Sequence, residues 1–275
     1  MKIGIVQNLV YRDKEKNLNN AEREIRQAAA QGADIIVLGE MFNCPYDNQS
    51  FVDFAEEEDG ESLRRMSKAA ADHQVYLIAG SIPLKEQDKI YNASFVFDRE
   101  GRKIACHRKV HLFDIQVKGG QHFKESDTFT AGSQVTMFDT EFGKMGLCIC
   151  FDFRFPELSR IMALEGAQCI FVPAAFNMTT GPAHWELLFR QRAVDNQLFT
   201  VGTAPARSYE GYVSYGNSIV VSPWGDIVFR ADEKPITKTV EIDLGKNDEI
   251  RQQLPLLSSR RVDMYEVSYC EQQPG

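Results

Sequence analysis

The apolar positions fall into two alternating rhythms. Short runs apolar at nearly every position recur along the chain: residues 2–7, 34–38, 75–81, 145–149, 168–172 and 198–203. Between them lie longer stretches with apolar residues at helical spacing. In residues 17–31, Ala21, Ile25, Ala28 and Ala29 recur with a period near four, and Gly32 stops the pattern. In residues 62–73, Leu63, Met66, Ala69 and Ala70 do the same. Residues 156–165 and 182–196 each open on a proline, the residue suited to a first helical turn. Residues 91–97 and 103–107 read as a hairpin about Asp98-Arg99-Glu100-Gly101, and residues 218–222 and 227–230 as another about Pro223-Trp224-Gly225-Asp226. Residues 237–242 form a last strand, Pro83 ends the strand at 75–81, and the charged tail from about 247 starts as a helix.

The order is strand, helix, strand, helix, twice over. Continuous apolar strands are buried on both faces, which predicts an α/β fold with two sheets packed together and helices outside. No low-complexity segment, linker or repeat divides the chain, so residues 1–275 read as a single domain. The longest apolar runs are far below the roughly 18 residues of a membrane span, and the first residues lack a signal-peptide pattern. These features predict a cytoplasmic protein. Net charge is −8, which argues against nucleic acid or an anionic membrane as partner. Six cysteines at irregular spacing, several within apolar runs, read as reduced buried thiols.

Reactive groups in α/β folds collect where strands finish. Three candidates stand there. Glu40 follows the strand 34–38, Lys109 follows the strand of the first hairpin, and Cys150 follows the strand 145–149. A thiol needs a base to become a nucleophile, a carboxylate can be that base, and an ammonium can stabilise an oxyanion. Each also has a plain structural use: Glu40 in a loop cap, Lys109 as a surface charge, Cys150 in the core.

Gly39-Glu40-Met41-Phe42, the run from His107 to Phe113 and the run from Cys148 to Glu157 resemble the Glu, Lys and Cys signatures of the nitrilase superfamily of carbon–nitrogen hydrolases, in that family's chain order. The stretches Phe176 to Leu188 and Arg192 to Gln197 are similar to its omega-amidase branch, as are His111 to Ile115, Val221 to Gly225 and Glu249 to Gln253. The resemblance implies a four-layer α-β-β-α sandwich, a homodimer or larger assembly, and no metal or organic cofactor. It implies hydrolysis of the terminal amide of 2-oxoglutaramate or 2-oxosuccinamate. Glu40 would be the general base and acid, Lys109 the oxyanion stabiliser, Cys150 the nucleophile, and Glu125 a second glutamate that positions the amide and Lys109. The N–H of Phe151 would join Lys109 in binding the oxyanion. Cys148 departs from the family pattern, which more often has a smaller or non-thiol residue there.

A substrate of this kind carries a carboxylate opposite the amide. Arg154, four residues after Cys150, can grip it as a guanidinium fork, or can pair with Asp152, Glu157 or another structural acid. Phe176, Thr180 and Tyr46 are candidate pocket residues, with core or interface as the alternative. His107 and His111 have a metal spacing if helical but lack companions for zinc. Cys148 and Cys150 would share a strand face. The run Glu56 to Asp59 reads as a solvated loop. Competing activities are an amidase for deaminated glutathione or N-carbamoyl compounds, the amidase module of a glutamine-dependent synthetase, and a catalytically silent scaffold; ammonia release separates the last from an enzyme.

Overall fold

The computed structural model describes residues 1–118, 122–208 and 211–270. The first half runs β1 (Lys2–Gln7), α1 (Lys14–Ala30), β2 (Ile35–Leu38), α2 (Asn48–Asp53), α3 (Glu61–His73), β3 (Tyr76–Ile78), β4 (Ile82–Glu86), β5 (Lys89–Phe97) and β6 (Lys103–Arg108). Then come β7 (Asp114–Gln116), β8 (His122–Lys124), β9 (Thr136–Thr140), β10 (Gly143–Leu147), α4 (Pro156–Leu164), β11 (Cys169–Pro173), α5 (Gly181–Asn196) and β12 (Phe199–Thr203). The chain closes with β13 (Ile219–Val221), β14 (Ile227–Arg230), β15 (Ile236–Glu241) and α6 (Gly245–Gln253).

Two sheets result. One has the order β15-β1-β2-β3-β5-β4, with β6 also on β5; the other runs β14-β13-β12-β11-β10-β9. Side chains alternate between strand faces, and although nearly all are buried, the core they join follows that period. Ile3, Ile5, Ile35 and Val37 face Phe171, Phe199, Val201 and Leu147 across the gap between the sheets. The intervening Val6, Ile36 and Leu38 pack under α1 and α3, and Ile170 and Val172 under α4 and α5. The layers are therefore helix, sheet, sheet, helix, as the apolar strands imply.

Several boundaries differ from the sequence reading. The strand expected over 75–81 is shorter, β3 stopping at Ile78 before Gly80 takes φ +45°, and Pro83 does not end it but lies inside the next strand, β4. β4 ends the sheet order, so its proline removes no interior ladder bond. α1 starts at Lys14 because the Asp13 side chain caps it, accepting the Lys16 N–H at 3.0 Å. The acidic run is not wholly solvated: Glu56 is 9% exposed, accepts the Ser62 N–H at the start of α3 and pairs with Lys14 at 2.9 Å. α2, β7, β8 and β9 carry no strong periodicity and are absent from the sequence reading. All six cysteines are free, but Cys270 is exposed and Cys106 half-buried. No helix among the described residues is long and apolar enough to cross a membrane.

Candidate active site

The site forms at strand ends contributed by both sheets. Glu40 follows β2 and Lys109 follows β6 in the first sheet; Cys150 follows β10 and Ala175 follows β11 in the second. Gly39 lets the chain before Glu40 pass close to the backbone of Pro205, where a Cβ would meet the Pro205 nitrogen at 2.9 Å. Beyond Glu40 the chain turns through Met41 at φ +53°, and Cys150 itself sits at φ +47°. Left-handed backbone at non-glycine residues is costly, and its appearance beside two candidate reactive groups marks a constrained site.

Cys150 opens a single 3-10 turn, residues 150–154, rather than lying on β10, which ends at Leu147. Cys148 and Cys150 thus do not share a strand face as expected. Both are buried.

Glu40, Lys109 and Glu125 are fully buried. Lys109 Nζ donates to Glu40 Oε1 at 2.9 Å and to Glu125 Oε1 at 3.0 Å. Glu40 also accepts from Asn92 Nδ2 at 2.8 Å and from the Ala175 N–H at 2.7 Å, and it lies beside the Cys150 thiol, close enough for each to shift the other's pKa. The Tyr46 hydroxyl donates to Glu125 Oε1 at 2.6 Å, and the Phe113 N–H to Glu125 Oε2 at 2.6 Å. The five residues Glu40, Tyr46, Lys109, Glu125 and Cys150 are brought together.

Burial raises the Glu40 carboxyl above its ordinary value; Lys109 opposes that rise and Glu125 adds to it. Burial pushes the Cys150 thiol well up, and the Glu40 charge pushes the same way. For Lys109 burial favours the neutral amine, but Glu125 and Glu40 outweigh it and hold the ammonium. The thiol is thus held protonated beside a carboxyl group that a fixed cation also touches. That arrangement suits base-assisted nucleophilic attack on a carbon whose oxygen gains charge.

A cavity of about 250 Å³ opens beside this cluster, lined by Glu40, Tyr46, Ala175, Tyr212 and, towards its mouth, Arg12. Glu40 is shared between the cavity wall and the Cys150 thiol; Cys150, 4% exposed, is not part of the wall. Phe176 and Thr180 do not line this cavity either. Phe176 is buried against Trp185, with the Arg154 guanidinium 4.6 Å from its ring centre. Thr180 ends the turn before α5, its N–H and hydroxyl donating to Asn177 Oδ1. Phe151 packs its ring on Phe113 and Phe155. Arg154 donates to His184 Nδ1 at 3.1 Å and makes no carboxylate pair among the described residues, so the expected alternatives of Asp152 and Glu157 do not hold it.

His107 and His111 lie on β6 and the loop after it, not on a helix, and both bond Asp152, at 2.9 Å each. Sequence reasoning missed Asn92, Ala175, Tyr212 and Asp152 as parts of the site. Tyr212 donates to the Ala175 carbonyl and stacks on Tyr46 with ring centres 4.6 Å apart. Only Asp152 had a signal, its place inside the motif around Cys150.

The carbon-nitrogen hydrolase family profile matches residues 2–252. The chain is 46% identical over 267 residues to omega-amidase NIT2-A of Xenopus laevis and 44% identical over 267 residues to omega-amidase NIT2 of Homo sapiens, covering 97% of either chain in both comparisons. Saccharomyces cerevisiae Nit3, a member of branch 10 of the nitrilase superfamily, superposes with a TM-score of 0.87 at 38% identity, over 95% of this chain and 96% of that one. With a buried thiol, carboxylate and ammonium assembled at the strand ends of a four-layer sandwich, and likeness of this extent, the chain belongs to the carbon-nitrogen hydrolase family and is an amidase of the nitrilase superfamily.

Proposed function

We propose that the protein is an omega-amidase that converts 2-oxoglutaramate or 2-oxosuccinamate to the 2-oxo dicarboxylic acid and ammonia. The observation that carries this is the thiol of Cys150 held against Glu40, with Lys109 bonded to the same carboxylate. Glu40 takes the thiol proton as sulfur bonds to the amide carbon. Lys109 and the Phe151 N–H stabilise the oxyanion. Collapse breaks the C–N bond, and Glu40 passes its proton to the departing nitrogen, which leaves as ammonia. The thioester remains. Glu40 then takes a proton from water, whose oxygen attacks the same carbon, and the thiolate recovers that proton as the acid departs. Glu125 and Tyr46 hold Lys109 in place throughout.

Arg154 is the proposed grip for the distant carboxylate. Burial lowers its pKa from the ordinary guanidinium value, and among the described residues its neighbours are His184, Phe151 and Phe176. A half-buried guanidinium that pairs with no carboxylate among the described residues favours an anionic ligand. The same reading includes a cytoplasmic location, one functional domain over residues 1–275, and a homodimer. Leu187 on α5 is 62% exposed, and Trp224, in a turn that Arg190 ties to α5, is 57% exposed, which supports a face for a second copy.

Ammonia release from 2-oxoglutaramate, 2-oxosuccinamate, glutamine, asparagine, deaminated glutathione, N-carbamoyl compounds and a neutral amide of matched length tests the proposal. The two 2-oxo acid amides should rank first. Arg154→Ala should lower kcat/KM for 2-oxoglutaramate by ~30-fold or more and change the neutral amide far less. Equal losses on both would make Arg154 structural. Faster turnover of deaminated glutathione would reassign the substrate.

A further inference from the structure

The two sheets meet through an apolar core, and no strand ladder joins them among the described residues. Apolar contact is non-directional. Yet Lys109 and Glu40 come from one sheet and Cys150 from the other, and their chemistry needs a defined mutual geometry. A directional tie is required where the sheets meet.

Asp152 stands at that point. It is fully buried in the turn that begins with Cys150. Its Oδ1 accepts the Val110 N–H at 3.1 Å, the His111 N–H at 2.8 Å and His111 Nδ1 at 2.9 Å. Its Oδ2 accepts the Ile149 N–H at 3.1 Å and His107 Nε2 at 2.9 Å. Thr136 Oγ1 lies 2.9 Å from His107 Nδ1 and fixes the ring from the side opposite Asp152. The His111 ring stacks on Phe155 with centres 3.7 Å apart. Asp152 makes no ion pair with Lys or Arg among the described residues; Arg154 points away to His184.

We infer that Asp152 is a positioning residue that sets the distance between the Cys150 thiol and the Lys109 ammonium, by fastening the chain on both sides of Lys109 to the nucleophile turn. It touches neither substrate nor reacting atoms. All its partners donate, so only a carboxylate fits. An amide of the same shape turns an N–H₂ group towards N–H donors and pushes the two segments apart. The desolvated carboxylate stays ionised because these donors outweigh the effect of its burial.

The kinetic part of the test rests on the amidase reading; the chemical part does not. Asp152→Asn should fold, with kcat on 2-oxoglutaramate down roughly 100-fold and KM within about threefold. Alkylation of Cys150 by iodoacetamide, followed by mass spectrometry, should slow by a similar factor. A second pair of variants covers the case in which Asp152→Asn does not fold. His111→Leu removes one donor, and His111→Asn restores an N–H near the position of Nδ1. The leucine variant should lose roughly 10-fold in kcat and in alkylation rate, since the other donors remain, and the asparagine variant should recover most of both. A folded Asp152→Asn protein with wild-type kcat and alkylation rate overturns the inference, as does a change confined to KM. Equal behaviour of the two His111 variants also overturns it. Wild-type protein that hydrolyses no amide, while Cys150 alkylation still depends on Asp152, would refute the amidase reading and leave the positioning role standing.

Discussion

At the scale of the residue, the chemistry is a matter of which group holds the proton. Cys150 is buried and its pKa is raised, so it stands as a thiol, and in the proposed mechanism Glu40 removes its proton. Cys150→Ala should abolish ammonia release, by roughly 10⁴-fold or more, because the covalent route is gone. Its left-handed backbone adds a second measurement. Cys150→Gly should be equally inactive but more stable than Cys150→Ala by about 1 kcal/mol in urea unfolding, since glycine adopts that backbone without strain. An alanine variant as stable as the glycine one would remove the claim of strain. Glu40 supplies the pH dependence. Its pKa is raised by burial, and only the ionised form can take a proton. As pH falls through that raised value, kcat/KM should drop, with an inflection above the ~4.3 of an ordinary glutamate. Lys109 and Cys150 are both shifted upward, so the alkaline limb should lie well above neutrality. Rates of ammonia release across the pH range check both limbs, and an acid inflection at or below the ordinary glutamate value would contradict the role given to Glu40.

At the scale of the element, the strand ends are aimed by close backbone approaches. Gly80, at φ +45°, ends β3 against the Gly39 carbonyl, and a Cβ there would strike that oxygen. The segment it would displace carries Glu40. Gly80→Ala should therefore cost stability by ~1–3 kcal/mol and lower kcat as well. Thermal unfolding together with steady-state kinetics checks this. Loss of stability with full activity would mean that the approach serves packing alone. The pattern of apolar residues cannot show such a contact, because a glycine in an apolar run reads the same whether it faces solvent or another backbone.

At the scale of the whole molecule, the alternation of inner and outer faces along β1, β2 and β11 builds a sandwich whose two sheets each bring part of the site. The outer face of α5 and the turn holding Trp224 remain uncovered. Light scattering at micromolar concentration should find a dimer, and Leu187→Asp should shift it towards monomer. A wild-type monomer with full activity would remove the proposed interface.

The amino-acid order by itself determined the layer architecture, because fully apolar strands need cover on both faces, and it offered Glu40, Lys109 and Cys150 as candidates at strand ends, which the resemblance of their local motifs to a known family singled out. Glu125 was reached only by resemblance, since the 3-10 turn it starts has little pattern of its own. Only the tertiary structure decided that Tyr46 and Phe113 hold Glu125, that Ala175 and Asn92 hold Glu40, and that His107 and His111 both bond Asp152. It also placed Arg154 on His184, with no acid partner among the described residues. The physical reason is common to all of them. Local sequence dictates backbone propensity and the side of an element that is buried, whereas a hydrogen-bond partner is set by which strand ends meet, and here those ends lie far apart along the chain and on two different sheets.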